Sequence, residues 1–244
     1  EAVTDTGTIS GVVTSSTGVI AEATVTLYTS YGSGGYNWAR STTTDATGGY
    51  LLTGVTPGAY LLRFSASGYA SEWFDNAADS DDATEVNVTS GATKTVSAQL
   101  VALPKITGTI YDPNGVAVEA TVCVGYSYDP DDCTYATSDS SGHYQVAVSP
   151  GAYLVRAYTS TSLTTYYAGA TSVLDSSAAT KVKLTSGGAD ATGKDIHLIQ
   201  GAVITGTVTR AGAAVSNASV CVADGACSNT GTGNYTLRVR PGTA

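Results

Sequence analysis

The chain has 244 residues, 13% of them charged, and a formal net charge of −9. With 11 Lys and Arg against 20 Asp and Glu, it lacks the basic stripe that nucleic-acid phosphates or an anionic membrane surface require. No apolar run approaches the ~20 residues that cross a bilayer as a helix, so neither nucleic acid nor membrane insertion is expected.

Three ordered landmarks recur. Thr6-Gly7-Thr8-Ile9, Thr107-Gly108-Thr109-Ile110 and Thr205-Gly206-Thr207-Val208 each open a stretch. Ala23-Thr24-Val25, Ala120-Thr121-Val122 and Ala218-Ser219-Val220 follow. Then come Gly48-Gly49-Tyr50 with Pro57-Gly58, Gly142-His143-Tyr144 with Pro150-Gly151, and Gly233-Asn234-Tyr235 with Pro241-Gly242. A period near ~100 residues marks domains in series, each long enough for its own core. The boundaries expected are 1–101, 102–200 and an incomplete 201–244. The first two stretches run about 40 residues beyond their Pro-Gly, which gives two expectations for the third. It is a fragment of a longer protein, or it borrows strands from a neighbouring chain.

Along the first stretch, period-two alternation predicts a strand at Thr8–Val13 and a second at Ala23–Tyr28 with Val25 and Leu27 inward. Gly18, Asn114-Gly115 and Ala211-Gly212 lie in the turns between these first two strands, where positive φ is cheap for Gly or Asn. A third strand is expected near Trp38–Thr43. The segments Asp45–Gly48, Asp139–Gly142 and Asn229–Gly233 read as turns in which Asp or Asn bonds nearby backbone. Tyr50–Leu52, Tyr60–Phe64, Glu85–Val88 and Lys94–Leu100 complete the unit. About seven short strands per ~100 residues describe an all-β chain of tandem antiparallel Ig-like β-sandwiches.

Cys123 and Cys133 fall in the second stretch, Cys221 and Cys227 at the equivalent place in the third. Alternation puts Val122 and Val124 inward and Cys123 outward, with its partner across a short hairpin loop. No C-x-x-C-like metal spacing accompanies them. Two disulfides are expected, and with them an oxidising, extracellular setting. Thr26 replaces the first cysteine in the first stretch.

The motif Thr44-Asp45-Ala46-Thr47-Gly48-Gly49-Tyr50 to Pro57-Gly58-Ala59-Tyr60, repeated as Ser138–Tyr144 to Pro150–Tyr153, resembles the carboxypeptidase regulatory-like family. This is the prealbumin-like sandwich close to the Cna protein B-type domains of Gram-positive surface proteins. The resemblance implies a spacer or accessory module. B-type domains also join Lys to Asn or Asp in an isopeptide bond. Lys105, ahead of the second opening strand, is the one donor candidate, and it sits outside the strand interior.

Chemistry is sparse. His143 occupies a turn position that is Gly49 or Asn234 in the sister stretches, and His197 falls between Ile196 and Leu198, facing solvent. Serines lack a Gly-x-Ser-x-Gly elbow. No catalytic residue, resident metal or cofactor is expected. Asp75, Asp79, Asp81 and Asp82, and Asp129, Asp131 and Asp132, are acidic loops with oxygen donors for calcium but no EF-hand spacing. Sequons stand at Asn87, Asn217 and Asn234.

Aromatics give the clearest binding signal. A glycine-rich loop with Tyr28, Tyr31, Tyr36 and Trp38, and its counterpart with Tyr126, Tyr128 and Tyr135, present rings that stack on sugars or anchor a protein. The competing reading, and the preferred one, is that they cover the sandwich edge or pack between adjacent units. Trp73, Phe74, Tyr166 and Tyr167 are equivalent in the two stretches and read as structural, packing at a domain junction. The expected protein is non-catalytic and extracellular, a stalk, surface layer or filament. Expected partners are self-association through the third stretch, a glycan or a cell-surface protein. The alternative is a carbohydrate-binding accessory module of a secreted hydrolase.

Overall fold

The computed structural model describes residues 5–31, 35–185, 187–222 and 227–240, with backbone only for Ser30 and Tyr31. Strands dominate, and the helical pieces among the described residues are single 3-10 turns at Pro130–Asp132 and Ser176–Ala178. Two compact units divide at Leu103 and Pro104.

In the first unit, β1 (Gly7–Ser15) forms one sheet with β2 (Gly18–Val19), β5 (Gly49–Val55), β9 (Thr93–Thr95) and β10 (Ala98–Gln99). The second sheet runs β4-β3-β6-β7, from β3 (Thr24–Tyr31), β4 (Gly35–Thr43), β6 (Gly58–Ser65) and β7 (Glu72–Trp73), with β8 (Val86–Val88) also on β6. Alternating residues of the two sheets interdigitate, so Ile9, Val13, Val25, Leu27, Leu62, Phe64 and Val86 are fully buried between them. Val25 and Leu27 face inward as their alternation requires.

The second unit begins by repeating this plan. β11 (Lys105–Tyr111) stands between β14 (His143–Ala147) and β19 (Ile196–His197). Opposite lie β12 (Thr121–Gly125), β13 (Cys133–Thr137), β15 (Gly151–Tyr158), β16 (Thr165–Ala168), β17 (Thr171–Val173) and β18 (Val182–Leu184). Ile106, Ile110, Val122, Val155 and Ile196 make its core.

The third stretch holds three two-stranded pieces: β20 (Ala202–Thr207) with β25 (Asn234–Val239), β21 (Thr209–Arg210) with β22 (Ala213–Ala214), and β23 (Ser219–Cys221) with β24 (Cys227–Asn229). Ile204, the counterpart of buried Ile9 and Ile106, is 40% exposed there.

Two expectations change. The sandwiches are not wholly antiparallel: β1 pairs in parallel with β9 and β10, and β11 with β19. Alternation encodes which face a residue takes and says nothing of strand direction. The opening landmark of the first repeat also shifts. Gly11, not Gly7, pairs with Tyr50, as Gly108 pairs with Tyr144 and Gly206 with Tyr235. Ile9-Ser10-Gly11-Val12-Val13 is therefore the counterpart of Ile106–Ile110 and Ile204–Val208, which makes the two repeat spacings equal to within one residue.

The glycine is dictated by close approach. A Cβ at Gly11 would run into the Val96 carbonyl, and one at Gly108 into that of Lys194. The partner tyrosine folds over the gap, with Tyr50 Oη donating to Val96 O at 2.7 Å and Tyr144 Oη to Lys194 O at 2.6 Å. The Pro-Gly-x-Tyr corners close similarly, as Tyr60 donates to Thr56 O at 2.8 Å and Tyr153 to Ser149 O at 2.6 Å.

The Asp turns form as their composition requires: Asp45 Oδ1 accepts from the Thr47 and Gly49 amides at 2.8 and 3.0 Å, and Asp139 Oδ1 from Ser141 and His143 at 2.8 and 3.0 Å. The Thr47 hydroxyl and these amides hold the Asp45 carboxyl below its ordinary range. Gly115 and Gly212 both adopt φ +81° in the first turn of their repeats.

One step before the two Asp turns, and one step after Asn229, which lies in a strand and not in the expected turn, is a device that sequence reading missed. Thr44, Ser138 and Thr230, each 1% exposed, place a hydroxyl that accepts the amide of Ala23, Ala120 and Ala218 at 2.9, 2.8 and 2.9 Å. Each hydroxyl donates onward to Ile20 O, Val118 O or Val215 O. The Ala-Thr/Ser-Val signature and the Asp turn are thus joined through a single buried oxygen.

Thr44→Val keeps the shape and strands a buried amide and a buried carbonyl. It is expected to lower stability by about 1 to 3 kcal/mol in denaturant unfolding, whereas Thr44→Ser keeps most of it.

Burial raises the Tyr50 and Tyr144 phenols above their ordinary value, with Asp195 and Tyr167 adding to the effect at Tyr144. A phenol ionises near ~10 in the unfolded chain and later in the fold, so stability is full below that pH and falls as pH rises above it. The expected result is a denaturation midpoint that holds up to roughly pH 10 and declines steadily above it. Tyr50→Phe with Tyr144→Phe flattens that decline while lowering the midpoint at neutral pH.

Candidate functional site

The outer face of the first unit's second sheet is not a plain solvated surface. Alternation that sends Val25 and Leu27 into the core turns Tyr28 outward, and the same holds for Leu61 beside Leu62. An irregularity in the β3–β4 pairing leaves Ala39 unpaired and sets Trp38 opposite Tyr28. The segment expected as a loop is therefore largely strand, because pairing continues to Tyr31 and Gly35. Tyr36 and Trp38 stand on an edge strand, and the Tyr31 side chain lies outside the described residues.

Trp73, paired with Arg63, completes a cluster on this face. Its ring centroid is 5.0 Å from Tyr28 and 5.1 Å from Tyr36, and the Tyr28–Tyr36 distance is 5.2 Å. These tilted and edge-on contacts suit ring quadrupoles. Trp73 thus packs within its own unit, over Leu61 and Ala77. Tyr36 stays 40% exposed and Trp38 64% exposed. Next to Tyr36 a cavity of about 400 Å³ is lined by Gly35, Leu61, Ser80, Asp81, Ala83 and Glu85.

The second unit fills the corresponding face differently. Arg156 and Tyr166 stand where Arg63 and Trp73 stand, Cys123 replaces Thr26, and Gly125 replaces Tyr28. The expected bonds Cys123–Cys133 and Cys221–Cys227 are both present. Cys123 points away from the core as expected but is not exposed, at 1%. Arg156 covers it, with Nε 3.1 Å from Cys123 Sγ and Nη2 3.1 Å from Cys133 Sγ, and it also donates to the Tyr128 carbonyl and to Tyr166 Oη. Alternation reports which face a residue takes, and a long-range arginine decides whether that face is wet.

Of the second unit's candidate rings, Tyr126 shares a 2.8 Å hydrogen bond with Tyr153 and Tyr135 donates to Pro130 O. All three stay exposed, Tyr128 the most. Tyr36 and Trp38 lie together on one face, while Tyr126 and Tyr128 belong to the other unit.

Other candidates have local roles. His197 is exposed and stacks on Tyr111 at 4.7 Å, and His143 is exposed beside Asp139. Lys105 is the first residue of β11, and its amide donates to Asp190 Oδ1. Asp79 accepts the Asp81 and Asp82 amides, Asp129 caps its 3-10 turn, and Asp132 accepts the Ser127 amide. Among the described residues no group of three or more His, Cys, Asp or Glu is close enough to hold a metal ion. Nor is any described helix long and apolar enough to cross a membrane.

Residues 8–101 match the family model of the carboxypeptidase regulatory-like domain. No curated protein matches the chain. Similar solved structures include a streptococcal ancillary pilin, at 15% identity and TM-score 0.39, covering 82% of this chain and 64% of that one. The Bacillus anthracis TIE protein is similar at 13% identity and TM-score 0.31, with 96% and 43% covered. The shaft pilin SpaA of Lactobacillus rhamnosus GG is similar at 14% identity and TM-score 0.40, with 80% and 97% covered. The chain therefore spans less than two thirds of the length of the first two. That family match spans the first repeat, and the second repeat reproduces the first one's strand order and motif contacts.

Proposed function

We propose that this chain is a non-catalytic extracellular protein with a structural or adhesive role, its repeats acting as load-bearing units of a stalk, surface layer or filament. The disulfides support the oxidising, extracellular setting. The observation that carries the reading is the parallel pairing of opening and closing strands: Thr8, Ile9 and Ser10 with Thr93, Lys94 and Thr95, then Val13 and Thr14 with Ala98 and Gln99. Ile110 and Tyr111 pair with Ile196 and His197 in the same sense. Tension applied through the two ends of such a repeat slides parallel neighbours past one another. Their hydrogen bonds are then loaded together rather than opened singly, and the glycine-tyrosine lock lies across the same seam. A spacer needs this resistance and a catalyst has no use for it. Under this reading, self-association would extend the array head to tail.

Single-molecule pulling tests it. Force applied through the ends of the first repeat is expected to unfold it at several times the force needed when the handles sit on Thr26 and Ser41, which unzip the β3–β4 hairpin. Equal forces in the two geometries would count against a tensile role.

A second reading, a carbohydrate-binding accessory module, is favoured by the exposed Trp38 beside Tyr36 on one sheet face. On a glycan array it expects binding that Trp38→Ala weakens at least about fivefold, since one stacked ring contributes on the order of 1 kcal/mol or more. Absence of sugar binding, or binding indifferent to the substitution, removes it.

A further inference from the structure

We infer that the cavity beside Tyr36 binds an alkylammonium group, of the kind carried by a lysine side chain or a diamine. This goes beyond the load-bearing role and does not depend on it. Three complementary surfaces meet there. Tyr36 brings an aromatic side chain to the lining, Leu61 and Ala83 offer apolar contact to a methylene stem, and Asp81 and Glu85 supply negative charge. Neither carboxylate is ion-paired among the described residues. The space, about 400 Å³, falls within the range of small-molecule sites.

The site is also preformed. Tyr36 is held at 5.2 Å from Tyr28 and 5.1 Å from Trp73, so little side-chain freedom remains to be lost on binding. The fold does not require this arrangement, because the second repeat has Gly125 in place of Tyr28 and packs its disulfide and Arg156 on the same face. Two carboxylates exclude phosphate or carboxylate ligands from so small a space, and a net charge of −9 draws cations toward the chain.

The test titrates the full chain by NMR with Nα-acetyl-lysine-N-methylamide, with 1,5-diaminopentane, and with the norleucine analogue, which has a similar stem and no charge. Saturable binding of at least one cation is expected, with Kd on the order of 1 mM and weakening as salt is raised. The tighter of the two cations identifies the source as a peptide or a free amine. The Asp81→Asn/Glu85→Gln double variant, which preserves shape, is expected to lose affinity at least about fivefold. Tyr36→Leu loses a similar factor, and Leu51→Ala, exposed on the other sheet, loses none. The inference is overturned if neither cation binds, if the norleucine analogue binds equally well, or if the double variant binds like the parent chain.

Discussion

Each complete repeat depends on how closely its closing strand approaches the middle of its opening strand. At Gly11 and Gly108 the absent Cβ leaves room for the carbonyls of Val96 and Lys194, and a tyrosine from the neighbouring strand seals the gap with its hydroxyl. Three segments distant in sequence meet at that point. The opening strand becomes the centre of its sheet instead of an edge, and the inward residues on either side of the glycine, Ile9 and Val13 or Ile106 and Ile110, reach the core. A larger residue would force the closing strand off, and with it the parallel seam that joins the two ends of the repeat.

Around this seam the turns act as fasteners, not as sites. The buried hydroxyl of Thr44, Ser138 or Thr230 ties the entry of the second sheet to the turn that leaves it, and after Thr44 and Ser138 the aspartate that follows satisfies the turn's own amides. Most polar side chains that composition flags as chemical are consumed in this way. Asp79, Asp129 and Asp132 bond backbone amides within their loops. What remains uncommitted is the outer face of the second sheet, where the two units part company: rings and a small acidic cavity in one, an arginine clamped over a disulfide in the other.

Much of the fold was legible in the residues, and the exceptions share a cause. Val25 and Leu27 are buried as alternation requires, the Asp turns close on their own backbone, and the cysteine pairs form because hairpin geometry brings them together. Each of these is decided within about a dozen residues. The misplaced opening glycine, the parallel seam and the burial of Cys123 are decided by partners 80 or so residues away or on another strand. Examples are Ser10 O accepting the amide of Val96, far along the chain, and Arg156 over Cys123. The candidate rings of the first unit were placed on a loop. A pairing irregularity at Ala39, invisible in composition, sets Tyr36 and Trp38 on a strand. Asp81, Glu85 and Leu61 were not recognisable as neighbours of Tyr36 because three separate segments supply them.

Hydrogen exchange at the seam addresses this account most directly. The amides of Val96, Leu100, Lys194 and Leu198 donate to Ser10, Thr14, Thr107 and Tyr111 of the opening strands. They should exchange only with global unfolding of their repeat, alongside core amides such as those of Val25 and Val122. Exchange of these four at the rate of edge-strand amides in β4 and β13 would show that the closing strands are loosely attached, and would contradict it.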